Sequence, residues 1–198
     1  PGSAKLAEQA GAPAIYVSGF VASAIVAGAP DFGVLTQTEM FEHIRRICRV
    51  TTVPVFADAD TGYGGVLDAQ RTIQLWEEAG ASVLHLEDQA MPKKCGHFAG
   101  KELTGAEEMQ QKLRAMLAAR RDPNFLIMAR TDIRAVEGLD AAIDRAKALV
   151  DAGADAIFPE AMRSLEEFAA VRAAVDVPIL ANMTEFGKSE LFSSQQLA

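Results

Sequence analysis

Cysteine is scarce in this chain: 198 residues carry two, Cys48 and Cys95. Two thiols make no disulfide framework, which agrees with a reducing, cytoplasmic setting. Positive charge is also in deficit, with 19 Lys and Arg against 27 Asp and Glu and a formal net charge of -8. Displacing counterions from a phosphate backbone takes clustered Lys and Arg, so nucleic acid is not an expected partner. No apolar run approaches the roughly 20 residues that cross a bilayer, and the first residues lack the basic-then-apolar layout of a signal peptide, so a membrane is not expected as a partner either. No Gly-x-Gly-x-x-Gly follows a strand-like run, no Cys/His set stands at zinc spacing, and no linker or low-complexity tract divides the chain. What is there is one domain, residues 1–198, with 49% hydrophobic residues, enough for one sizeable core.

Three segments end a helix in Ala-Gly-Ala and then run into short apolar stretches: Ala10-Gly11-Ala12, Ala79-Gly80-Ala81 and Ala152-Gly153-Ala154. Strands are expected at 14–18, 53–58, 83–87, 125–130, 156–159 and 177–182, each short and β-rich. Amphipathic stretches separate them. Four Ser/Thr residues precede Glu or Gln by three and read as capping boxes: Thr36 with Glu39, Thr104 with Glu107, Ser164 with Glu167, and Ser193 with Gln196. Regular alternation of strand and helix implies parallel pairing. Polar residues gather at strand ends, at Ser18-Gly19, Asp58, Asp60, Glu87-Asp88, Arg130-Thr131-Asp132, Glu160, Asn182 and Thr184. An open doubly wound sheet would draw its site from fewer strands, so an α/β barrel of the (β/α)8 type is expected. Six strands are two short of eight. The chain opens almost directly in a helix over 4–10 and stops in one that begins near Ser193, so the first and last strands are expected to be missing from it.

Lys93-Lys94-Cys95-Gly96-His97 follows the strand at 83–87. A thiol between two ammonium groups and an imidazole ionises easily, and glycine lets the backbone approach a ligand, so the segment reads as a mobile catalytic loop. The plain alternative is a solvated basic loop with an incidental cysteine. Cys48, by contrast, shares a helical face with Met40, Phe41, Ile44 and Ile47 and reads as core. Asp58 and Asp60, two apart at a strand end, can reach one cation together, and with Glu87 and Asp31 they make an all-oxygen set suited to magnesium. Asp-x-Asp-x-Gly by itself is more often a strand followed by a turn. Arg130 ends an apolar strand and needs an anion, either Asp132 or a substrate carboxylate. Tyr16 and Ser18 lead to Gly19, where backbone amides could cradle a carboxylate; a buried strand tyrosine is the plain alternative. His43 reads as solvated, and His85 as an interior histidine as readily as a ligand contact. Trp76 and the phenylalanines read as core.

With Asp58-x-Asp60, Leu86-Glu87-Asp88-Gln89, Lys93-Lys94-Cys95-Gly96-His97, Met128-Ala129-Arg130-Thr131-Asp132 and Asn182-Met183-Thr184-Glu185-Phe186-Gly187 in this order, the chain resembles the isocitrate lyase and phosphoenolpyruvate mutase superfamily over nearly its whole length. The Lys93–His97 signature is specific to its carbon–carbon lyase branch. Phe158-Pro159-Glu160-Ala161 and residues 182–187 are most similar to bacterial 2-methylisocitrate lyases. The resemblance implies a Mg²⁺-dependent, or Mn²⁺-dependent, retro-Claisen or aldol-type cleavage of 2-methylisocitrate, or a related di- or tricarboxylate, to pyruvate and succinate. It implies that Asp58, Asp60, Glu87 and Asp31 hold the ion directly or through water, that Tyr16 takes the hydroxyl proton, and that Cys95 protonates the carbanion carbon. Ser18 and Gly19 would bind the oxo-acid half, while Lys94, Gly96, His97, Arg130, Glu160, Asn182 and Thr184 would meet the rest of the substrate as the loop closes. A homotetramer and a place in propionate catabolism are implied as well. One departure is Phe20-Val21 after Gly19, where methylisocitrate enzymes carry further glycines; this run is similar to 2,3-dimethylmalate lyases. Oxaloacetate decarboxylation, phosphonate chemistry on the same barrel, and an inactive barrel scaffold are the alternatives.

Overall fold

The computed structural model describes residues 1–96, 98–185, 187 and 189–197. Its elements are α1 (Gly2–Gln9), β1 (Ile15–Val17), α2 (Gly19–Ala22) continuing into a π-helical turn (Ser23–Ala27), α3 (Gln37–Cys48), β2 (Val55–Asp58), α4 (Val66–Ala79), β3 (Val83–Glu87), α5 (Ala106–Ala119), β4 (Leu126–Thr131), α6 (Arg134–Glu137), α7 (Leu139–Asp151), β5 (Ala156–Pro159), α8 (Leu165–Ala174) and α9 (Ser194–Leu197).

The five strands pair in parallel and lie side by side in sequence order. A doubly wound sheet reverses its order at a switch point. No reversal occurs here, so the sheet is an arc of the expected (β/α)8 arrangement, open among the described residues. Every residue of β3 and β5 is buried, as befits parallel strands covered on both faces. The sixth expected strand, 177–182, is reduced to one parallel bridge between Ile157 and Ile179. Ile157 N–H donates to Pro178 O and Leu180 N–H to Ile157 O, both at 2.9 Å. Pro178 has no N–H to extend that ladder.

Helix starts follow their caps where nothing stronger competes. Thr36 and Glu39 complete a capping box on α3, and Ser193 with Gln196 makes both halves of another. Ser164 accepts from Glu167 N–H, but the Glu167 carboxylate is taken by Arg134 and by Arg163 N–H, so that box is half made. Thr104 is no cap: α5 starts after Gly105. Instead, Thr104 N–H donates to Asp88 O and Ala90 N–H to Glu102 O, so 88–90 and 102–104 form an antiparallel stem that claims the backbone first.

Two further expectations change. His43 is buried on α3 with Met40, Phe41, Ile44 and Ile47 rather than solvated, and burial lowers its pKa. Phe20, Phe32 and Phe98 are exposed rather than core. Among the described residues, no helix is long and apolar enough to cross a membrane.

Trp76 on α4 is wholly buried, lies 5.7 Å from the Tyr63 ring, and donates from Nε1 to the Asp58 carbonyl at 3.1 Å. It thereby pins the end of β2, which carries a candidate site residue. Trp76→Phe removes that donor and leaves a void, so urea unfolding should show a loss of about 1–3 kcal/mol. An unchanged midpoint would mean that the indole bond carries no net stability.

Candidate functional site

Beyond the carboxyl ends of the strands lies a cavity of about 660 Å³. Tyr16, Ser18, Asp31, Asp58, Cys95, Gly96, Arg130, Glu160, Asn182 and Thr184 line it, together with Phe20, Phe98, Phe158, Leu180 and Ala181. Gly19, Asp60, Glu87 and Lys94 lie outside that lining. His97 is outside the described residues.

Asp58 and Asp60 are brought together by a tight turn rather than by strand alternation. Asp60 lies past β2 with φ of 44°, a left-handed conformation uncommon for a residue with a side chain. The turn lets Asp60 N–H donate to Asp58 Oδ1 at 2.9 Å, while Gly19 N–H donates to Oδ2 at 2.8 Å. A Cβ on Gly19 would stand 2.7 Å from Asp58 Oδ2 and 3.2 Å from Asp60 Oδ1, so only glycine brings the start of α2 this close to both carboxylates. Lys93 Nζ lies 2.6 Å from Asp31 Oδ1 and 2.6 Å from Asp60 Oδ1. The Lys93 ammonium is thus paired with two carboxylates.

Among the described residues seven carboxylates are buried, Asp31, Asp58, Asp60, Glu87, Asp88, Asp132 and Glu160, against four buried Lys and Arg side chains, Lys93, Lys101, Lys112 and Arg130. Uncompensated buried charge is costly, so such a cluster must take up protons or a further cation. Burial and the neighbouring Asp58 push Asp60 up, and burial pushes Glu87 well above the ordinary carboxyl range. Neither Glu87 oxygen accepts a hydrogen bond from the described residues, and its pairing with Arg130 Nε is long at 3.4 Å. Hard oxygen donors left unsatisfied in this way fit a divalent cation such as magnesium. As the side chains stand, no three Asp, Glu, His or Cys groups among the described residues converge on a single ion position, because the Lys93 ammonium stands between two of them.

Tyr16 Oη and His85 Nε2 share a hydrogen bond of 2.5 Å, and their rings stack at 5.5 Å. Burial pushes His85 down to about 4, so the imidazole is neutral at pH 7. Burial, with Asp58 nearby, pushes the Tyr16 phenol well above its ordinary value. Tyr16, which lines the cavity, is thus placed as a hydrogen-bonding group held by His85. Arg130 keeps both anticipated options. Its Nε and Nη2 donate to Asp132 at 3.0 and 3.3 Å, and it lies over the Phe158 ring at 5.0 Å, yet it still lines the cavity. Glu160 Oε2 is 3.5 Å from Arg130 Nη2 and accepts from Asn182 Nδ2 at 3.3 Å, and Thr184 Oγ1 donates to Asn182 Oδ1 at 2.9 Å.

Cys95 sits on a braced loop. The Gln89 side chain donates to Lys94 O at 2.8 Å and accepts from Lys94 N–H at 3.0 Å, and Lys94 Nζ reaches back to Gly100 O. Lys94 thus stiffens the loop and does not reach the cavity, contrary to expectation. A Cβ on Gly96 would lie 2.6 Å from Arg130 Nη2 and 2.9 Å from the Glu160 carboxylate, so this glycine lets the loop lie flush on the ion pair. Lys101 Nζ donates to Gly96 O at 2.7 Å and contacts Asp132 Oδ1 at 2.5 Å. Gln89 and Lys101 were not anticipated at the site, whereas Asp132 was expected as one option for pairing Arg130 and His85 as an interior histidine as readily as a ligand contact. Gln89 stands in a motif and Lys101 follows a glycine, but nothing in their spacing announces these partners.

Cys48 is half-buried against the core, and burial pushes its thiol up to about 11. Iodoacetamide at pH 8 should therefore label Cys48 at least about tenfold more slowly than a free thiol, because the thiolate is the nucleophile. Peptide mass spectrometry against glutathione measures this, and equal rates would contradict it.

The family model described as phosphoenolpyruvate phosphomutase matches residues 1–198. A probable 2-methylisocitrate lyase 2 of Corynebacterium glutamicum is 51% identical over 197 residues, which is 100% of this chain and 64% of that protein. The chain thus spans less than two thirds of that relative's length. Among solved structures, 2,3-dimethylmalate lyase superposes with a TM-score of 0.94 at 35% identity, covering 98% of this chain and 66% of that one. Phosphonopyruvate hydrolase in complex with oxalate and Mg²⁺ superposes with a TM-score of 0.79 at 36% identity, covering 89% of this chain and 62% of that one.

Proposed function

The chain belongs to the phosphoenolpyruvate phosphomutase family, and we propose that within it the full-length protein is a carbon–carbon lyase that splits 2-methylisocitrate, or a close 2-hydroxy polycarboxylate, into pyruvate and succinate. One observation carries the reading: Cys95 and Arg130 line the same cavity as Asp31 and Asp58. Cleavage gives the hydroxyl proton up to solvent, turns that carbon into a carbonyl, and leaves the bond's electron pair on the neighbouring carbon, which must gain a proton. The Cys95 thiol, at the cavity wall, delivers that proton to carbon and is left as thiolate for reprotonation. Arg130 binds a substrate carboxylate, and Asn182 and Thr184 orient it. Tyr16, held by His85, offers its hydroxyl to a substrate oxygen. A divalent cation, Mg²⁺ or Mn²⁺, would be held by Asp58, Asp60, Glu87 and Asp31 and would polarise the hydroxyl and carboxylate oxygens as a Lewis acid. The reading extends to a cytoplasmic homotetramer in propionate catabolism, supported by family resemblance alone.

A second reading has its own observation. Phe20 is 51% exposed and lines the cavity with Phe98, Phe158 and Leu180. Such an apolar wall suits an alkyl-bearing dicarboxylate such as 2,3-dimethylmalate, and pockets of this kind discriminate by small differences in volume.

Release of 2-oxo acid from 2-methylisocitrate, isocitrate, 2,3-dimethylmalate and oxaloacetate decides between these. We expect turnover of one of the first three, lost with EDTA and restored by Mg²⁺. Cys95→Ser should lower that turnover at least about 100-fold while product binding persists; near-wild-type turnover would defeat the role given to the thiol. Under the second reading, Phe20→Gly moves preference about tenfold from 2,3-dimethylmalate towards 2-methylisocitrate. An unmoved preference removes Phe20 as the determinant.

A further inference from the structure

Lys101 is a lysine whose side chain is 1% exposed, although it lies on an irregular segment rather than in the core of a helix or strand. Burying an ammonium is costly unless its donors are used. Two are: one goes to Gly96 O at 2.7 Å, the other to Asp132 Oδ1 at 2.5 Å. Asp132 already receives Nε and Nη2 of Arg130, so neutralising Asp132 does not require the second bond, to Gly96. That carbonyl belongs to the residue after Cys95. Gly96 in turn lies flush on Arg130 and Glu160, where a Cβ would not fit.

We propose that Lys101 is a positioning residue that holds Cys95 at the cavity wall, tying the loop through the Gly96 carbonyl to the Asp132–Arg130 pair beneath it. The assignment rests on the lyase reading for its kinetic consequence but not for its geometry. Lys93 also tethers the loop, yet its partners Asp31 and Asp60 are candidate ligands of a cation. The bonds of Lys101 lie outside that set, so its tether does not depend on what those carboxylates hold. One ammonium thus sets the place of the thiol that gives a proton and of the guanidinium that holds the carboxylate. A reacting group displaced by about 1 Å can lose on the order of 100-fold in rate.

Lys101→Met in the full-length protein tests this, with two readouts. The first is 2-oxo acid release: kcat should fall at least about tenfold while KM stays within about threefold, since the loop positions the thiol more than it binds substrate. The second needs no turnover. Iodoacetamide labelling of Cys95 without substrate, followed by peptide mass spectrometry, should quicken at least about threefold as the loop is released, while labelling of Cys48 in the same sample stays unchanged. A merely structural loss would alter both cysteines or neither. If Lys101→Met does not fold, Lys101→Ala, which likewise removes the donor to Gly96 O but leaves room for water beside Asp132, is read by the same criteria. Unchanged Cys95 labelling overturns the proposal whatever happens to kcat, and so does faster labelling without loss of kcat in a protein that turns over. Absence of wild-type turnover on the whole substrate panel defeats the lyase reading instead, and the labelling ratio alone then decides the tether.

Discussion

An excess of buried carboxylate over buried cation organises this end of the sheet. Asp31, Asp58, Asp60 and Glu87 stand where water is largely absent, and Lys93 answers only part of their charge. Most other features of the site can be read as ways of living with that imbalance. Glu87 and Asp60 are pushed towards protonation, the Asp58 oxygens are capped by backbone N–H groups of Gly19 and Asp60, and the Tyr16 hydroxyl is paired with His85. A site that must neutralise developing negative charge on an oxygen is well served by a pocket already short of cations, because a divalent ion entering it meets unsatisfied hard donors.

The loop after β3 couples this electrostatic centre to the candidate proton donor. Its three lysines look alike in sequence, yet each has a different task. Lys93 reaches down to Asp31 and Asp60, Lys94 turns back to Gly100 O, and Lys101 spans Gly96 O and Asp132. Stem pairing between 88–90 and 102–104 and the Gln89 clamp on Lys94 close the frame. The thiol is therefore placed by hydrogen bonds on both sides of it, and two glycines make the close approaches possible. Gly19 lets a helix start abut the aspartates, and Gly96 lets the loop settle on Arg130 and Glu160.

Much of the fold was legible because its signals are local. Ala-Gly-Ala stops, β-rich runs and the Thr36 cap gave the order of elements, and polar residues at successive strand ends pointed to a common mouth. The Thr104 cap failed because an antiparallel stem, invisible to a four-residue pattern, took its backbone. Burial of His43 went unread because its charged neighbours in sequence lie on the other side of the same helix. Segment 177–182 has the composition of a strand but makes a single bridge, since pairing depends on what lies beside it.

Residue chemistry alone determined which groups could do the work: hard oxygens for a cation, one guanidinium for a carboxylate, and one thiol outside any apolar stripe. Only the tertiary structure decided who holds whom. Nothing in the spacing of Lys93, Lys94 and Lys101 separates a ligand partner from a brace, or shows that Tyr16 leans on His85. Those pairings span up to 69 positions of chain and exist only once the sheet has stacked consecutive strand ends side by side. Charge compensation in a buried site is a property of three-dimensional neighbours, and a linear sequence does not list them.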